Sequence, residues 1–89
     1  MTAPGPSKAE VYEQLKAVLV AEFGFRAEQL EPATHLVKDL DLDSIDWVDM
    51  AVALEEKTGQ ELAEDDMASI RTLQDVVDVL HRKLQPEGA

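Results

Sequence analysis

Four aspartates crowd one hydroxyl in the stretch "DLDLDSIDW", residues 39 to 47: Asp39, Asp41, Asp43 and Asp46 surround Ser44. Three kinds of chemistry can use such a cluster. As a nucleophile, a serine needs an adjacent base and an oxyanion site. The two histidines, His35 and His81, lie in the long loop and the last helix, no Gly-rich turn adjoins Ser44, and four carboxylates would oppose a developing oxyanion. As a cation site, Asp39, Asp41 and Asp43 have the D-x-D-x-D start of a calcium-binding loop. That loop then wants glycine at its sixth position and glutamate at its twelfth, where Ser44 and Met50 stand here. No metal site is expected. The third use is as an acceptor that another enzyme modifies. A plain helix cap is the structural alternative, because serine is common there, but Asp43 can do that work and leave Ser44 available.

These residues must be held by helices. "SKAE" at Ser7 has the form of a capping box, with Glu10 reaching back, and opens a helix whose stripe is Val11, Leu15, Val18 and Leu19 up to Gly24. A second helix starts at Asp43 or Ser44 and runs to Thr58 and Gly59. "TLQDVVDVLHRKL" makes a last helix, with Thr72 as N-cap, Asp75 in the first turn, and Leu73, Val76, Val77, Leu80 and Leu84 as its stripe. "AEDDMASI" can form one short turn between them. The stretch from Phe25 to Asp43 reads as a long loop pinned by Leu30, Leu36, Leu40 and Leu42, with Pro32 and Thr34 setting turns. The expectation is an all-α domain: a small bundle of three to four helices with a long first loop, spanning 7–84. Residues 1–6 and 85–89, rich in Pro and Gly, are expected to fray.

Turning about 100° per residue, the second helix carries two apolar stripes. Trp47, Met50, Ala51 and Leu54 share a sector without charge, which reads as core. Ile45, Val48 and Val52 fall nearly opposite, beside Asp49, Glu55 and Glu56. Either the first loop covers this second stripe or it faces a basic partner with an apolar centre.

Composition agrees with a partner-seeking domain. Nineteen acids against eight bases give a formal charge of −11, and from Asp39 to Asp66 there are eleven acids and one base, Lys57. Such a surface repels nucleic acid and anionic lipid and attracts basic proteins. The 89 residues include no cysteine, which excludes disulfides, thiolate metal sites and a cysteine nucleophile. No run of about 18 apolar residues is present and no secretion signal opens the chain, so a cytoplasmic protein without a membrane span is expected.

The tract "DLDLDSIDWVDMAVALEEKTG" resembles the acyl carrier proteins, which show Asp-Ser-Leu or Asp-Ser-Ile at the start of an acidic second helix. The resemblance extends over roughly residues 8 to 84 and includes the long first loop and the helix order. It implies that Ser44 holds 4′-phosphopantetheine, installed from coenzyme A by a phosphopantetheinyl transferase, and that the protein carries acyl thioesters and catalyses nothing itself. It implies docking of ketosynthases, acyltransferases or acyl-ligases through Asp43, Ile45, Asp46, Val48, Asp49, Val52, Glu55 and Glu56, with the carrier a monomer. Trp47, Met50 and Leu54 become candidates for the wall of an acyl pocket. The alternatives are a peptidyl carrier, against which Leu40, Asp41 and Leu42 stand where two glycines are usual, and an acidic adaptor that uses Ser44 only as a cap. Trp47 and the "EEKTG" helix end depart from the common family pattern, which leaves fatty-acid, polyketide and specialised-lipid pathways all open.

Overall fold

Helices form where apolar residues recur along one stripe and a side-chain oxygen can take the first free amides. The computed structural model describes residues 5–84. Within them stand α1 (Lys8–Phe23), α2 (Ser44–Thr58), the short α3 (Glu64–Ser69) and α4 (Leu73–Leu84). The frayed ends expected for 1–6 and 85–89 fall, apart from Gly5 and Pro6, outside the described residues. Among the described residues no helix is long and apolar enough to cross a membrane.

The caps follow side-chain chemistry. Ser7 Oγ accepts from the Glu10 amide at 3.2 Å, but the Glu10 carboxylate reaches the Ser7 hydroxyl (3.5 Å) instead of closing the box on the Ser7 amide. Gly24 ends α1 at φ 76°, a left-handed turn that glycine adopts without strain, and its N–H donates to the Val20 carbonyl at 3.0 Å. At α4 the box is reciprocal: the Asp75 amide donates to Thr72 Oγ1 (3.3 Å), and Asp75 Oδ2 accepts from the Thr72 (3.0 Å) and Arg71 (2.9 Å) amides. These two amides, Thr72 first, hold the Asp75 carboxyl below its usual range.

The core is almost wholly aliphatic. Val11, Leu15, Val18 and Leu19 of α1 meet Met50 and Leu54 of α2 and Leu73, Val76, Val77 and Leu80 of α4. Val79, outside the expected stripe, is buried as well, while Leu84 packs only partly. The reason is that α4 has neighbours on several sides, with α1 along its length, the first loop at its start and α3 near its end.

The long loop is held at both levels, side chain and backbone. All four expected leucines, 30, 36, 40 and 42, are buried. Residues Ala27–Gln29 form a 3-10 turn that the sequence did not announce. Thr34 is buried with its hydroxyl donating to the Gln29 carbonyl (3.1 Å) and accepting from the Glu31 amide (2.9 Å). The Tyr12 hydroxyl donates to the Leu30 carbonyl at 2.6 Å. The loop backbone is then stitched to the start of α4: Leu36 N–H to Arg71 O (2.9 Å), Leu73 N–H to Thr34 O (3.1 Å) and Gln74 N–H to Pro32 O (3.0 Å). Burying each such leucine contributes about 2 kcal/mol, and each net backbone bond about 1. The 20-residue connection, residues 24–43, thereby becomes a fixed part of the fold and delivers the chain to the tip of α2.

Candidate functional site

The tip of α2 is organised by carboxylates. Asp43 has extended backbone (φ −98°, ψ −175°) and is the N-cap: its Oδ1 accepts from the Asp46 amide at 2.9 Å. Asp46 Oδ2 returns the contact by accepting from the Asp43 amide at 3.2 Å. Asp39 Oδ2 takes the His35 amide at 2.7 Å, and Asp41 turns the chain at φ 55°, a left-handed conformation that Asp tolerates better than most residues. Three of the four crowded carboxylates thus satisfy backbone amides instead of converging on a common point. No group of three or more His, Asp or Glu among the described residues is arranged to hold a metal.

With the cap supplied by Asp43, Ser44 occupies the first helical position, exposed to solvent. Its hydroxyl enters no hydrogen bond among the described residues, and the amides of Ser44 and Ile45 have no protein acceptor. His35 is no base for it, because its Nδ1 accepts from the Val37 (3.2 Å) and Lys38 (3.1 Å) amides and is committed to the loop. The tip therefore offers a free hydroxyl flanked by two unused N–H donors at the positive end of a helix, which suits a phosphate ester. A phosphate-linked group on Ser44 fits these residues.

Down the helix the two stripes separate. Met50 and Leu54 are fully buried, and Trp47 and Ala51 are half-buried against the core. Opposite them Ile45 is 70% exposed, Val48 57% and Val52 51%, among the exposed Asp49, Glu55 and Glu56. The first loop does not cover this stripe; its backbone bonds within itself and to residues 71–74 at the start of α4. An apolar strip ringed by carboxylates is left in water.

Beside Ser44 an open groove of about 370 Å³ is lined by Val37, Ser44, Trp47, Met67, Ala68 and Ile70. Of the three pocket candidates from the sequence, Trp47 lines this groove, whereas Met50 and Leu54 have no exposed surface and belong to the closed core behind it. Val37, Met67, Ala68 and Ile70 were missed. Their apolar character in "EDDMASI" and the loop was readable, but which surface they would share was not. The α3 wall is fixed by Leu62 and Ile70, buried at its two ends, and by Asp66. Asp66 Oδ2 accepts from the Ala63 amide (2.9 Å) and pairs with Lys83 Nζ of α4 (2.9 Å). The Lys83 contact first, then the Ala63 amide, keeps the Asp66 carboxyl below its usual range.

Residues 13–80 match the family model described as a phosphopantetheine attachment site. Acyl carrier protein 2 of Ralstonia nicotianae is 35% identical over 71 residues, covering 80% of this chain and 88% of the relative. The acyl carrier protein of Thermosynechococcus vestitus is 31% identical over 78 residues, covering 88% and 96%, and that of Helicobacter hepaticus is 35% identical over 68 residues, covering 76% and 90%. With a four-helix fold, a family match across most of its length and relatives aligned nearly end to end, the chain belongs to the acyl carrier protein family, whose cofactor is a covalently bound 4′-phosphopantetheine.

Proposed function

We propose that Ser44 is the attachment point and that the protein presents acyl groups to successive enzymes of fatty-acid, polyketide or specialised-lipid synthesis in the cytoplasm. The observation that carries this reading is the division of labour at the α2 tip: Asp43 caps the helix, so the Ser44 hydroxyl stays exposed and unengaged. When bound, 4′-phosphopantetheine supplies the thiol on which acyl groups ride as thioesters. The chain's own residues do the rest. The Ser44 and Ile45 amides, which have no protein acceptor, would donate to the phosphodiester, and the Asp43–Asp46 cap would hold the helix tip that bears it. The carrier itself contributes no catalytic group.

Partner enzymes, the phosphopantetheinyl transferase among them, would dock on the exposed face of α2. Asp43, Asp46, Asp49, Glu55 and Glu56 steer a basic surface, and Ile45, Val48 and Val52 supply the apolar contact. Trp47 is the one pocket candidate from the sequence whose side chain reaches the groove beside the arm.

Incubation with coenzyme A, magnesium and a broad-specificity transferase should add one phosphopantetheine by intact mass, and Ser44→Ala should add none. Modification persisting in Ser44→Ala would refute the site. In the modified protein, changing Glu55 and Glu56 to Lys should slow cargo transfer and flatten its salt dependence, since steering between exposed charges is screened. Unchanged transfer at low salt would move the docking surface elsewhere.

A further inference from the structure

Resting on the carrier reading above, we infer that the cargo of this protein is a short, planar, conjugated acyl group that lies across the Trp47 indole in the groove beside Ser44. Behind the groove, Met50, Leu54, Leu36 and Leu73 are fully buried in a close-packed core, so a long chain could enter only by displacing them. The space that is open, about 370 Å³, stands at the low end of ligand pockets, about 300–1,000 Å³. Ser44, the root of the arm, is one of its lining residues, and the lining is mostly apolar.

The shape of this groove discriminates between cargoes. It is open to water along one side, so a saturated chain lying in it stays half wet and must give up its torsional freedom. A conjugated acyl group is already flat and extended, so ordering it in the groove costs little. Its π face meets the one indole of the chain, for which offset stacking is favoured. Met67 adds a polarisable thioether to the same lining, a side chain suited to the edge of a π system. Val37 and Ile70 add branched aliphatic surface to the lining.

The test loads the full chain with hexa-2,4-dienoyl or hexanoyl arms, transferred from the corresponding coenzyme A thioesters, so that only conjugation differs. The dienoyl protein should melt at a higher temperature than the hexanoyl protein. Its alkenyl protons should shift upfield under the indole ring current, and the Trp47 indole N–H resonance should move. Trp47→Leu should abolish both the ring-current shift and the melting difference, and Trp47→Phe, which keeps a smaller ring should the leucine variant fold poorly, should retain a reduced part of each. Equal melting with unshifted alkenyl protons in protein of verified mass would overturn the cargo assignment and leave the carrier reading intact. An indole resonance that moves as far with the bare arm as with the dienoyl arm would give the groove to the arm and overturn it too. Failure of the parent chain to accept any arm would overturn both.

Discussion

Replacing Asp43 with alanine tests how the tip of α2 is built. The substitution removes the acceptor of the Asp46 amide, a 2.9 Å bond, and leaves that amide to water; the return contact from Asp46 to the residue-43 amide, 3.2 Å, can persist. Loss of an N-cap to alanine costs about 0.5–2 kcal/mol, and for this exposed site the middle of that range, about 1 kcal/mol, is expected. In a domain of this length that lowers the melting temperature by about 4–8 °C. Asp43→Asn keeps an oxygen acceptor and loses only the charge at the helix dipole, about 0.3–1 kcal/mol at low salt, partly offset by relief of the −11 self-repulsion. It should melt close to the parent. The arrangement also couples stability to modification. In Asp43→Ala the nearest hydroxyl able to cap is that of Ser44, so transferase labelling should slow more in Asp43→Ala than in Asp43→Asn, where the cap survives. Thermal melts by circular dichroism and labelling rates by mass spectrometry read both effects. An alanine variant that melts like the parent, or an asparagine variant as unstable as alanine, would refute the capping argument.

Trp47→Ala should destabilise by about 2 kcal/mol, less than the roughly 3–5 typical of a fully buried tryptophan, because the indole is half-buried on an open groove; urea melts of the two proteins check it. The Asp75 carboxyl is held low by the Thr72 and Arg71 amides, so the fold favours its ionised form. That stabilisation is complete above the unfolded carboxylate value of about 3.9 and is lost as pH falls through the lower folded one. The melting gap between parent and Asp75→Asn should therefore stay constant from neutral to about pH 5 and close below about pH 4. Added salt or a divalent cation should raise the melting temperature at neutral pH, because −11 charges on 89 residues repel one another; a salt-independent melt would show the repulsion already relieved within the fold.

Local physics decided much of this protein before any packing. Ser7, Asp43 and Thr72 carry short side chains whose oxygens reach the amide three residues on, so helix starts were legible residue by residue. The α1 stripe and the split of α2 into a Met50–Leu54 face and an Ile45–Val48–Val52 face follow from a 3.6-residue period, and so did the acidic helix tip that carries the family resemblance. What periodicity cannot supply is which elements lie beside which. Whether the first loop would cover the outer α2 stripe was undecided until its backbone paired with the start of α4, through bonds between residues more than 30 positions apart. The groove beside Ser44 likewise draws Val37 from the loop, Trp47 from α2 and Met67 from α3, while Lys83 of α4 anchors its wall through Asp66. The same helical wheel that put Trp47, Met50 and Leu54 on one face could not tell the two closed off by the core from the one left at its edge. A residue's face is set by its own helix; its burial is set by the neighbours that the chain brings back to it.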